Sequence, residues 1–282
     1  MYYVLYNPLS GNKQGAESIE KVKALVEGEV KALDVREIVD FDTFFATLEA
    51  DDKVVLCGGD GTLNHFVNDI ADVEIKNEVY LFANGSGNDF KTDVAPEETG
   101  LIKINAYIQN LPVVEVKGMK RRFINGIGYG IDGYCCEVGD EEAKKSDKPV
   151  NYAGIAVKGL LFHFKPANAV VTVDGETHDF KHVWLAPSMN GRYYGGGMKV
   201  APDQDRLADP KTLSLVIWNG TGKITTLLRF KSIFSGEHVK YTKMIHTFTG
   251  KEITVKFDRP TALQIDGETV SGVTEYTVHA KG

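Results

Sequence analysis

Apolar and polar residues in the first part of the chain follow one another as they do in an α/β fold. Short apolar runs predict strands at residues 2–6, 33–39, 54–57 and 79–83. Between the first two runs, apolar residues recur with helical period, as at Ile19, Val22 and Val26. A further helix is predicted over residues 98–109. Strands that alternate with helices in this way predict a parallel sheet.

The pattern changes near residue 112, beyond which short apolar runs are separated by glycine, aspartate and proline. These runs are typical of antiparallel strands and lie at residues 113–116, 122–127, 169–173, 183–186, 213–218, 252–257, 262–265 and 275–280. One apolar helix is predicted over 152–164, and the charged segment 140–149 is predicted to be an exposed loop. We therefore predict an α/β N-terminal nucleotide domain with a parallel sheet over residues 1–112. An antiparallel β-sandwich domain is predicted over residues 113–282.

Loops rich in glycine, asparagine and serine follow three of the predicted strands. They read NPLSG at 7–11, GGDGT at 58–62 and NGSGNDF at 84–90. Because the carboxyl ends of parallel strands meet at one edge of a sheet, we expect the three loops to form one ligand site.

The second of these loops has the form of a phosphate-binding turn. Glycines let the backbone approach a polyanion, and the N–H groups at the start of the following helix point towards it. Asp60 would repel a phosphate unless a metal ion lies between the two charges or a proton is transferred. The segment lacks the Lys-Ser/Thr pair of a Walker loop. A glycine-rich turn without a ligand is the plain alternative.

Composition narrows the classes of function. The chain has 282 residues, of which 43% are apolar and 25% charged, as in folded globular proteins. Its net charge of −7 argues against a nucleic-acid partner. No apolar run is long enough to span a bilayer, and the N-terminal residues contain no signal-peptide pattern, so we expect a cytoplasmic location. The three cysteines fit a reducing compartment and are expected to be buried thiols.

In their order along the chain, the three loops resemble those of the diacylglycerol kinase catalytic-domain family, which includes bacterial lipid kinases and sphingosine kinases. The resemblance continues at FINGIG (123–128), YGGGM (194–198), Ala201-Pro202 and QIDGE (264–268). It spans nearly the whole chain, whereas GGDGT alone is shared with NAD kinases and phosphofructokinases. The resemblance implies an N-terminal α/β nucleotide domain, a C-terminal β-sandwich domain, and ATP with Mg²⁺ in the cleft between them.

The resemblance also implies roles for individual residues. Those implied to bind ATP are Asn7, Ser10, Gly11, Gly58, Gly59, Gly61, Thr62, Ser86, Gly87 and Asn88. Asp60 and Asp89 are implied to act in catalysis, and both are candidates for a magnesium network. Asp132 is a third candidate for this network, although Ile131-Asp132-Gly133 also fits a simple turn.

The catalytic base and a structural metal depend on the resemblance as well. Asp-Gly-Glu occurs twice, at 174–176 and 266–268, and the local pattern predicts a hairpin turn at both. The family match assigns the base to Glu268, which would accept the proton of a lipid hydroxyl. It also implies a structural metal at Asp209. Pro210 replaces the family's glycine there, so an ordinary acidic surface loop is the alternative.

The resulting hypothesis is an ATP- and Mg²⁺-dependent lipid kinase that transfers the γ-phosphoryl group to a hydroxyl of diacylglycerol or a related lipid. The alternatives are a kinase of a soluble substrate, such as NAD, and a non-catalytic nucleotide- or lipid-binding protein. A lipid acceptor and a transient, peripheral contact with the inner membrane surface are the expected partners. Basic residues between Lys223 and Lys243 form either a membrane-facing patch or a solvated face. The oligomeric state is open between a monomer and a homodimer.

Overall fold

The structure, a computed structural model, describes residues 1–8, 15–85, 87–145 and 150–281. The chain divides into two compact units, Met1–Asn110 and Leu111–Gly282. The first is an α/β unit built on a parallel sheet, and the second is an antiparallel β-sandwich unit. The predicted fold class is therefore confirmed.

Strands and helices alternate in the first unit. Its strands are β1 (Tyr2–Tyr6), β2 (Val30–Asp34), β3 (Lys53–Gly58), β4 (Glu78–Ala83) and β5 (Ile102–Lys103). Its helices are α1 (Gly15–Leu25), α2 (Phe41–Ala46), α3 (Asp60–Asp69), α4 (Asp89–Val94) and α5 (Asn105–Ile108). Helix α2 begins at a side-chain cap. The Asp40 carboxylate accepts hydrogen bonds from the N–H groups of Asp42 and Thr43, in the first turn of the helix.

The sheet of the first unit has the strand order β2-β1-β3-β4-β5. Its first four strands are parallel, and the two-residue β5 runs antiparallel to β4. All residues of β3 after Lys53 are buried, as expected for a parallel strand covered on both faces. In the register of the sheet, Tyr6 lies beside Cys57, and Cys57 lies beside Phe82. The carboxyl ends of β1, β3 and β4 therefore lie level with one another.

The second predicted strand, at residues 33–39, is misplaced. The strand is β2, which begins at Val30, and a 3₁₀ turn follows it at Val35–Glu37. The carboxylate of Asp34 accepts hydrogen bonds from the N–H group and the guanidinium of Arg36, at 3.0 and 2.9 Å. This local side-chain interaction competes with the strand ladder and ends the strand early.

The helix predicted over residues 98–109 is wrong. The segment instead forms β5 and the short helix α5. The side chain of Asn105 accepts a hydrogen bond from the Val79 N–H group at 2.8 Å and donates one to the Asn77 carbonyl at 2.9 Å. The partners of Asn105 in these hydrogen bonds lie 26 and 28 residues earlier in the chain, so the local helical pattern did not reveal them.

The second unit is mostly antiparallel sheet. Its strands are β6 (Val113–Val116), β7 (Met119–Arg122), β8 (Gly126–Tyr129), β9 (Ala167–Val173), β10 (Glu176–Leu185), β11 (Ser188–Met189), β12 (Tyr193–Tyr194), β13 (Met198–Lys199), β14 (Leu213–Asn219), β15 (Ile245–Gly250), β16 (Glu252–Ile265) and β17 (Glu268–His279). Its helices are α6 (Ile131–Lys145), α7 (Tyr152–Lys158) and α8 (Lys223–Phe230). A π-helical turn at Gly159–His163 extends α7, and 3₁₀ turns lie at Lys231–Ile233 and Glu237–Lys240.

The long strand β16 closes the sandwich. The first half of β16 pairs with β9 and its second half pairs with β8, while β17 lies along its other edge. The register shifts between Lys256 and Thr261, around Pro260, and such an irregularity bends a strand. The two predicted runs 252–257 and 262–265 are thus the halves of one bent strand. Inside the closed sheet, Tyr129 stacks on Phe257 with ring centroids 3.9 Å apart.

Residues 140–145 of the segment predicted as a charged loop belong to helix α6, so that part of the prediction is wrong; residues 146–149 lie outside the described residues. The helix begins where Gly133 lies against β16, so close that a Cβ there would meet the Ala262 carbonyl oxygen at 2.0 Å. Its charged end is exposed and carries an i,i+4 ion pair between Glu141 and Lys145 at 3.8 Å. The first turns of α6 are apolar and pack on β16, and the helix continues from them through residues 140–145, where the local sequence predicts a loop.

The apolar helix predicted over 152–164 is confirmed as α7 with its π-helical turn. Asn151 begins it, since its side-chain oxygen accepts a hydrogen bond from the Gly154 N–H group at 2.9 Å. Across the residues that the structure describes, no helix combines the length and the apolar character needed to cross a membrane.

One buried histidine makes the stability of the second unit pH-dependent. His238 is buried beside Trp218, and its Nε2–H donates to the Val200 carbonyl at 3.0 Å. Burial lowers the pKa of His238 below its usual range. Because the unfolded state then binds the proton more readily, this contribution to stability is present above pH 6.5 and is lost as the pH falls below it.

We expect His238→Gln to reduce the loss of unfolding free energy between pH 7 and pH 5 by about 1 kcal/mol per pH unit at most. Urea unfolding at several pH values measures this slope. The exposed His163, replaced by glutamine, is the control and should retain the slope of the unmodified protein. An identical slope for His238→Gln would show that protonation of this histidine does not limit stability.

Candidate functional site

Three loops leave the parallel sheet of the first unit at one edge. Asn7 directly follows β1, Gly59 follows β3, and Asn84 follows β4. The Asn84 N–H group donates to the Gly58 carbonyl at 3.2 Å, which joins the second loop to the third. The level ends of the strands thus start the three loops at one edge, and the second and third loops are in contact. The predicted binding residues Ser10, Gly11 and Ser86 lie outside the described residues.

Glycines allow two of these loops to touch backbone to backbone. A Cβ built on Gly59 would meet the Gly85 Cα at 2.7 Å, and one on Gly85 would meet the Gly59 Cα at 2.4 Å. Real Cβ atoms do not approach other atoms so closely, so alanine at either position would force the loops apart. The close approach is a structural reason for both glycines, separate from any contact with a ligand.

Gly61 differs from these two glycines because packing among the described residues does not require it. Gly61 is exposed in the first turn of α3, and no other described atom lies within 4 Å of a Cβ built there. Gly59, at the N-cap of this helix, has no side chain to cover the first N–H groups. Open space beside the N-terminus of a ten-residue helix is suited to an anion such as a phosphate. Thr62 adds a partly exposed hydroxyl to the same turn.

The Asp60 carboxylate connects the second loop to the third. Its two oxygens accept hydrogen bonds from the backbone N–H groups of Asp89 and Phe90, at 2.9 and 2.8 Å. These N–H groups begin helix α4, where a negative charge is stabilised. This gives the acidic residue of GGDGT a structural role, since it holds GNDF in place.

Asn88 shapes the third loop. Its backbone is left-handed at φ 52°, and its side chain accepts from the Gly85 N–H at 3.0 Å and donates to the Gly85 carbonyl at 2.6 Å. Gly87 is exposed in this loop, and Asp89 is buried in the first turn of α4. The predicted binding residues Gly87 and Asn88 and the predicted catalytic Asp89 are therefore successive parts of one turn.

The donor set of the first unit fits a magnesium ion held chiefly by a nucleotide. Mg²⁺ keeps several waters and binds through one or two carboxylates plus substrate phosphates. Asp60 and Asp89 are the aspartates of the second and third loops, at this edge of the sheet. Among the described residues, no three His, Cys, Asp or Glu side chains form a metal-binding group by themselves.

The second unit contains the two other predicted metal ligands. Asp132 is buried in the first turn of α6, where it accepts hydrogen bonds from the Tyr194 hydroxyl at 2.5 Å and the Gly133 N–H group at 3.0 Å. Burial raises the pKa of Asp132. Asp209 is exposed. The metal roles of Asp132 and Asp209 stay predictions.

The loop around Asp209 has a buried cation of its own. The guanidinium of Arg206 donates to the Ile124 carbonyl and to Oδ1 of Asn125, the latter at 2.6 Å. Arg206 is buried, and a Cβ on Gly191 would meet its Nη2 atom at 1.9 Å. An arginine side chain thus supplies positive charge to oxygen atoms inside this loop cluster.

Both copies of Asp-Gly-Glu form tight hairpin turns, as the local pattern predicts. Asp174 and Gly175 connect β9 to β10, and Asp266 and Gly267 connect β16 to β17, each pair with positive φ angles. In both copies the aspartate also braces a neighbouring segment. The Asp266 carboxylate accepts three N–H hydrogen bonds from residues 124–126, and the Asp174 carboxylate accepts two from residues 251–252.

The glutamates that follow the two turns are in different surroundings. Both oxygens of Glu268 accept from the guanidinium of Arg121, with Nη2 and Oε1 2.7 Å apart, and the pair is partly buried. Glu176 is exposed and lies 3.5 Å from the ring of His178. Arg121 was missed in the sequence, where it falls within a predicted turn, and no local signal connects it with Glu268. A bidentate arginine fixes the orientation of a carboxylate. Among the described residues, Glu176 has no such arginine partner.

Taken together, these units define a class of proteins in which a parallel α/β unit with glycine loops at its strand ends precedes an antiparallel β-sandwich unit. Residues 1–114 match the model of the diacylglycerol kinase catalytic domain. Residues 125–279 match that of the YegS C-terminal NAD kinase beta sandwich-like domain. Together the two matches cover nearly the whole chain, which therefore belongs to the family that joins a diacylglycerol kinase catalytic domain to a YegS-type C-terminal domain.

Relatives align with the chain over nearly its full length. YtlR of Bacillus subtilis is 26% identical, covering 98% of this chain and 95% of its own. A diacylglycerol kinase of Staphylococcus carnosus is 25% identical, covering 94% of this chain and 87% of its own. A crystal structure of a diacylglycerol kinase from Bacillus anthracis has the same fold, with a TM-score of 0.62 at 17% identity, covering 99% of this chain and 92% of that one.

Proposed function

We propose that this protein is an ATP- and Mg²⁺-dependent lipid kinase that phosphorylates a hydroxyl of diacylglycerol or a related lipid. The observation that carries the proposal is the joined loop pair, in which Asp60 of GGDGT binds the backbone of GNDF beside an open helix N-terminus. Diacylglycerol is the substrate named for relatives aligned over most of the chain, and it comes to this chain as part of the proposal.

In this proposal, the ATP phosphates bind at the carboxyl edge of the parallel sheet. N–H groups at the start of α3 and the Thr62 hydroxyl would hold them from one side. Asn7, Ser10 and Gly11 would flank the nucleotide, and Ser86, Gly87 and Asn88 would complete the cradle. Gly61 matters here because the open space beside it lets a phosphate approach the backbone.

Asp60 and Asp89 would hold the magnesium ion. When bound, the ion neutralises charge that develops on the phosphate oxygens. Asp60 has a second function, since its carboxylate holds the backbone of GNDF. The reaction needs positioning above all, so this second function contributes to catalysis as well.

Glu268 would act as the base. Its carboxylate accepts the proton of the lipid hydroxyl while the hydroxyl oxygen forms its bond to the γ-phosphorus and the bond to ADP breaks. The bidentate contact from Arg121 holds the Glu268 carboxylate in one orientation. Arg121 is therefore a positioning residue in this proposal. We further propose residues 1–112 as the nucleotide domain and residues 113–282 as the domain that supplies the base and the acceptor site.

The experiment that tests the proposed function is phosphoryl transfer from radiolabelled ATP. The full chain is incubated with Mg²⁺ and a lipid panel in mixed micelles, and in parallel with NAD. Label that enters the organic phase supports the lipid kinase. Label on NAD would instead favour the soluble-substrate alternative, and no transfer to any acceptor would favour a non-catalytic binding protein.

A substitution at Gly61 separates ligand contact from folding. We expect Gly61→Ala to leave the unfolding free energy unchanged or raise it by up to about 1 kcal/mol, because alanine fits the open space and favours the helix. ATP binding should weaken at least about tenfold, since the methyl group occupies the space of a phosphate. Calorimetric titration with ATP and urea unfolding measure the two effects. Gly222→Ala, also in open space, is the control. Undiminished ATP binding by Gly61→Ala would argue against phosphates at this turn.

A further inference from the structure

An unusual share of the exposed apolar side chains lies on two neighbouring segments of the second unit. Phe162 is 72% exposed, Ile224 is 71% exposed and Leu228 is 75% exposed. Phe234, after the 3₁₀ turn that extends α8, is half-exposed. Ile224 and Leu228 are four residues apart on α8 and so share one face of the helix. Large side chains so exposed on adjoining segments need an explanation.

The two segments are held side by side. Lys223 Nζ, at the start of α8, donates to the Leu161 carbonyl at 2.8 Å. The inner sides of both segments pack into one hydrophobic cluster that contains Leu160, Leu227 and Phe230. With their inner faces in a common core, the outer faces form a continuous surface. We name this the α8 surface; its residues are Phe162, Ile224, Leu228 and Phe234, bordered by Lys158, Lys223 and Lys231.

The two segments that carry the α8 surface are basic, although Glu137 of α6 lines a pocket beside His163 and Phe164. Residues 150–165 and 221–243 contain seven Lys and Arg residues but a single acidic residue, Glu237. That residue is paired with Lys240 at 2.8 Å. The whole chain has a net charge of −7, so the basic character is local. Apolar side chains bordered by lysines match the interface of an anionic bilayer, where the former enter the acyl boundary and the latter meet phosphate headgroups.

A second copy of the chain fits this surface less well. In a two-fold dimer the same patch meets itself, which would place the lysines of one copy against those of the other. We propose that the α8 surface docks the protein on anionic phospholipid membranes. The inference rests on the proposed lipid kinase function, which requires an acceptor embedded in a membrane, and adds to it the residues that make the contact.

Vesicle sedimentation with the full chain tests the proposal. Vesicles of phosphatidylcholine alone are compared with vesicles of equal parts phosphatidylcholine and phosphatidylglycerol. The unmodified protein should partition to the anionic vesicles, and added salt should weaken this binding. Ile224→Gln/Leu228→Gln should lower the partition coefficient at least about tenfold, through lost insertion of two apolar side chains. Lys158→Ser/Lys231→Ser should lower it about fivefold for each lysine near the surface.

Leu25→Gln/Val39→Gln is the matched control, since it removes an exposed leucine and a β-branched residue from the first unit. It should bind anionic vesicles as the unmodified protein does. Thermal unfolding of each variant identifies any loss of folding, and the lysine variant tests the surface without changing apolar residues. Binding by both α8 variants equal to that of the unmodified protein would overturn the proposal, as would no binding of the unmodified protein to anionic vesicles.

Two further measurements separate this inference from its alternatives. If the α8 surface instead binds a second copy of the chain, sedimentation velocity would show a dimer for the unmodified protein and a monomer for the α8 variants. That result would overturn membrane docking. Transfer of label to a short-chain diacylglycerol in detergent micelles reports catalysis without vesicle docking and should be retained by the α8 variants. Vesicle binding that depends on the α8 surface in a protein without kinase activity would uphold the docking and reject the proposed function.

Discussion

Asp60→Asn is expected to lower kcat for lipid phosphorylation by about 10²–10³-fold, the scale of losing one electrostatic contact in a transition state. The asparagine oxygen can still accept one of the two N–H groups of Asp89 and Phe90, but its NH₂ group faces the other. The negative charge that stabilises the start of α4 and attracts Mg²⁺ is lost as well. Initial rates measured over a range of Mg²⁺ concentrations test this expectation.

Two readouts separate the roles of Asp60. If Asp60 only holds GNDF in position, the unfolding free energy of Asp60→Asn should fall by about 1–3 kcal/mol. The Mg²⁺ concentration for half-maximal rate should then stay constant. If it also holds the ion, that concentration should rise. The exposed Asp51, replaced by asparagine, is the matched control in the same unit and should behave as the unmodified protein does. Full activity of Asp60→Asn would remove Asp60 from the catalytic assignment.

Glu268→Gln is the second change with a large expected effect. Glutamine has nearly the same shape but cannot accept the proton of the acceptor hydroxyl, so kcat should fall about 10²–10⁴-fold, the range for a general base. ATP binding should be unchanged, because in the proposal Glu268 makes its contact with the acceptor. Steady-state rates and ATP titration distinguish the two quantities.

The chain contains its own control for Glu268. Glu176 occupies the same place after the other Asp-Gly-Glu hairpin but is exposed and has no arginine fork. Glu176→Gln should therefore retain full activity. Equal turnover in Glu268→Gln and Glu176→Gln would reject the base assignment and leave the family membership untouched.

Strand, glycine turn and helix are local patterns, and here the sequence predicted them well. The individual strands of the first unit, the apolar helix at 152–164 and both Asp-Gly hairpins depend mainly on neighbours in the chain. The shared edge at which β1, β3 and β4 end also followed from sequence, because parallel strands in register place their carboxyl ends together. Which residues act on a ligand stays a prediction.

Errors occurred where a distant contact overrode a local pattern. The helix predicted over 98–109 does not form, because the Asn105 side chain forms hydrogen bonds with the backbone of Asn77 and Val79. In the loop predicted at 140–149, residues 140–145 are helical because α6 packs on β16. In both places the deciding partner lies more than 25 residues away along the chain. Local propensity carries no information about such partners.

The Lys53–Asn64 segment shows the same division at the candidate site. By itself, the sequence determined a buried strand, a turn whose glycines admit an anion, and an exposed helix start. Only the tertiary structure decided that Asp60 binds the N–H groups of Asp89 and Phe90, that Gly59 touches Gly85, and that Gly61 borders open space. It likewise distinguished two identical Asp-Gly-Glu turns by placing Arg121 against Glu268. The physical reason is that backbone preference is set by adjacent residues, whereas the partners of a side chain are set by how the whole unit packs.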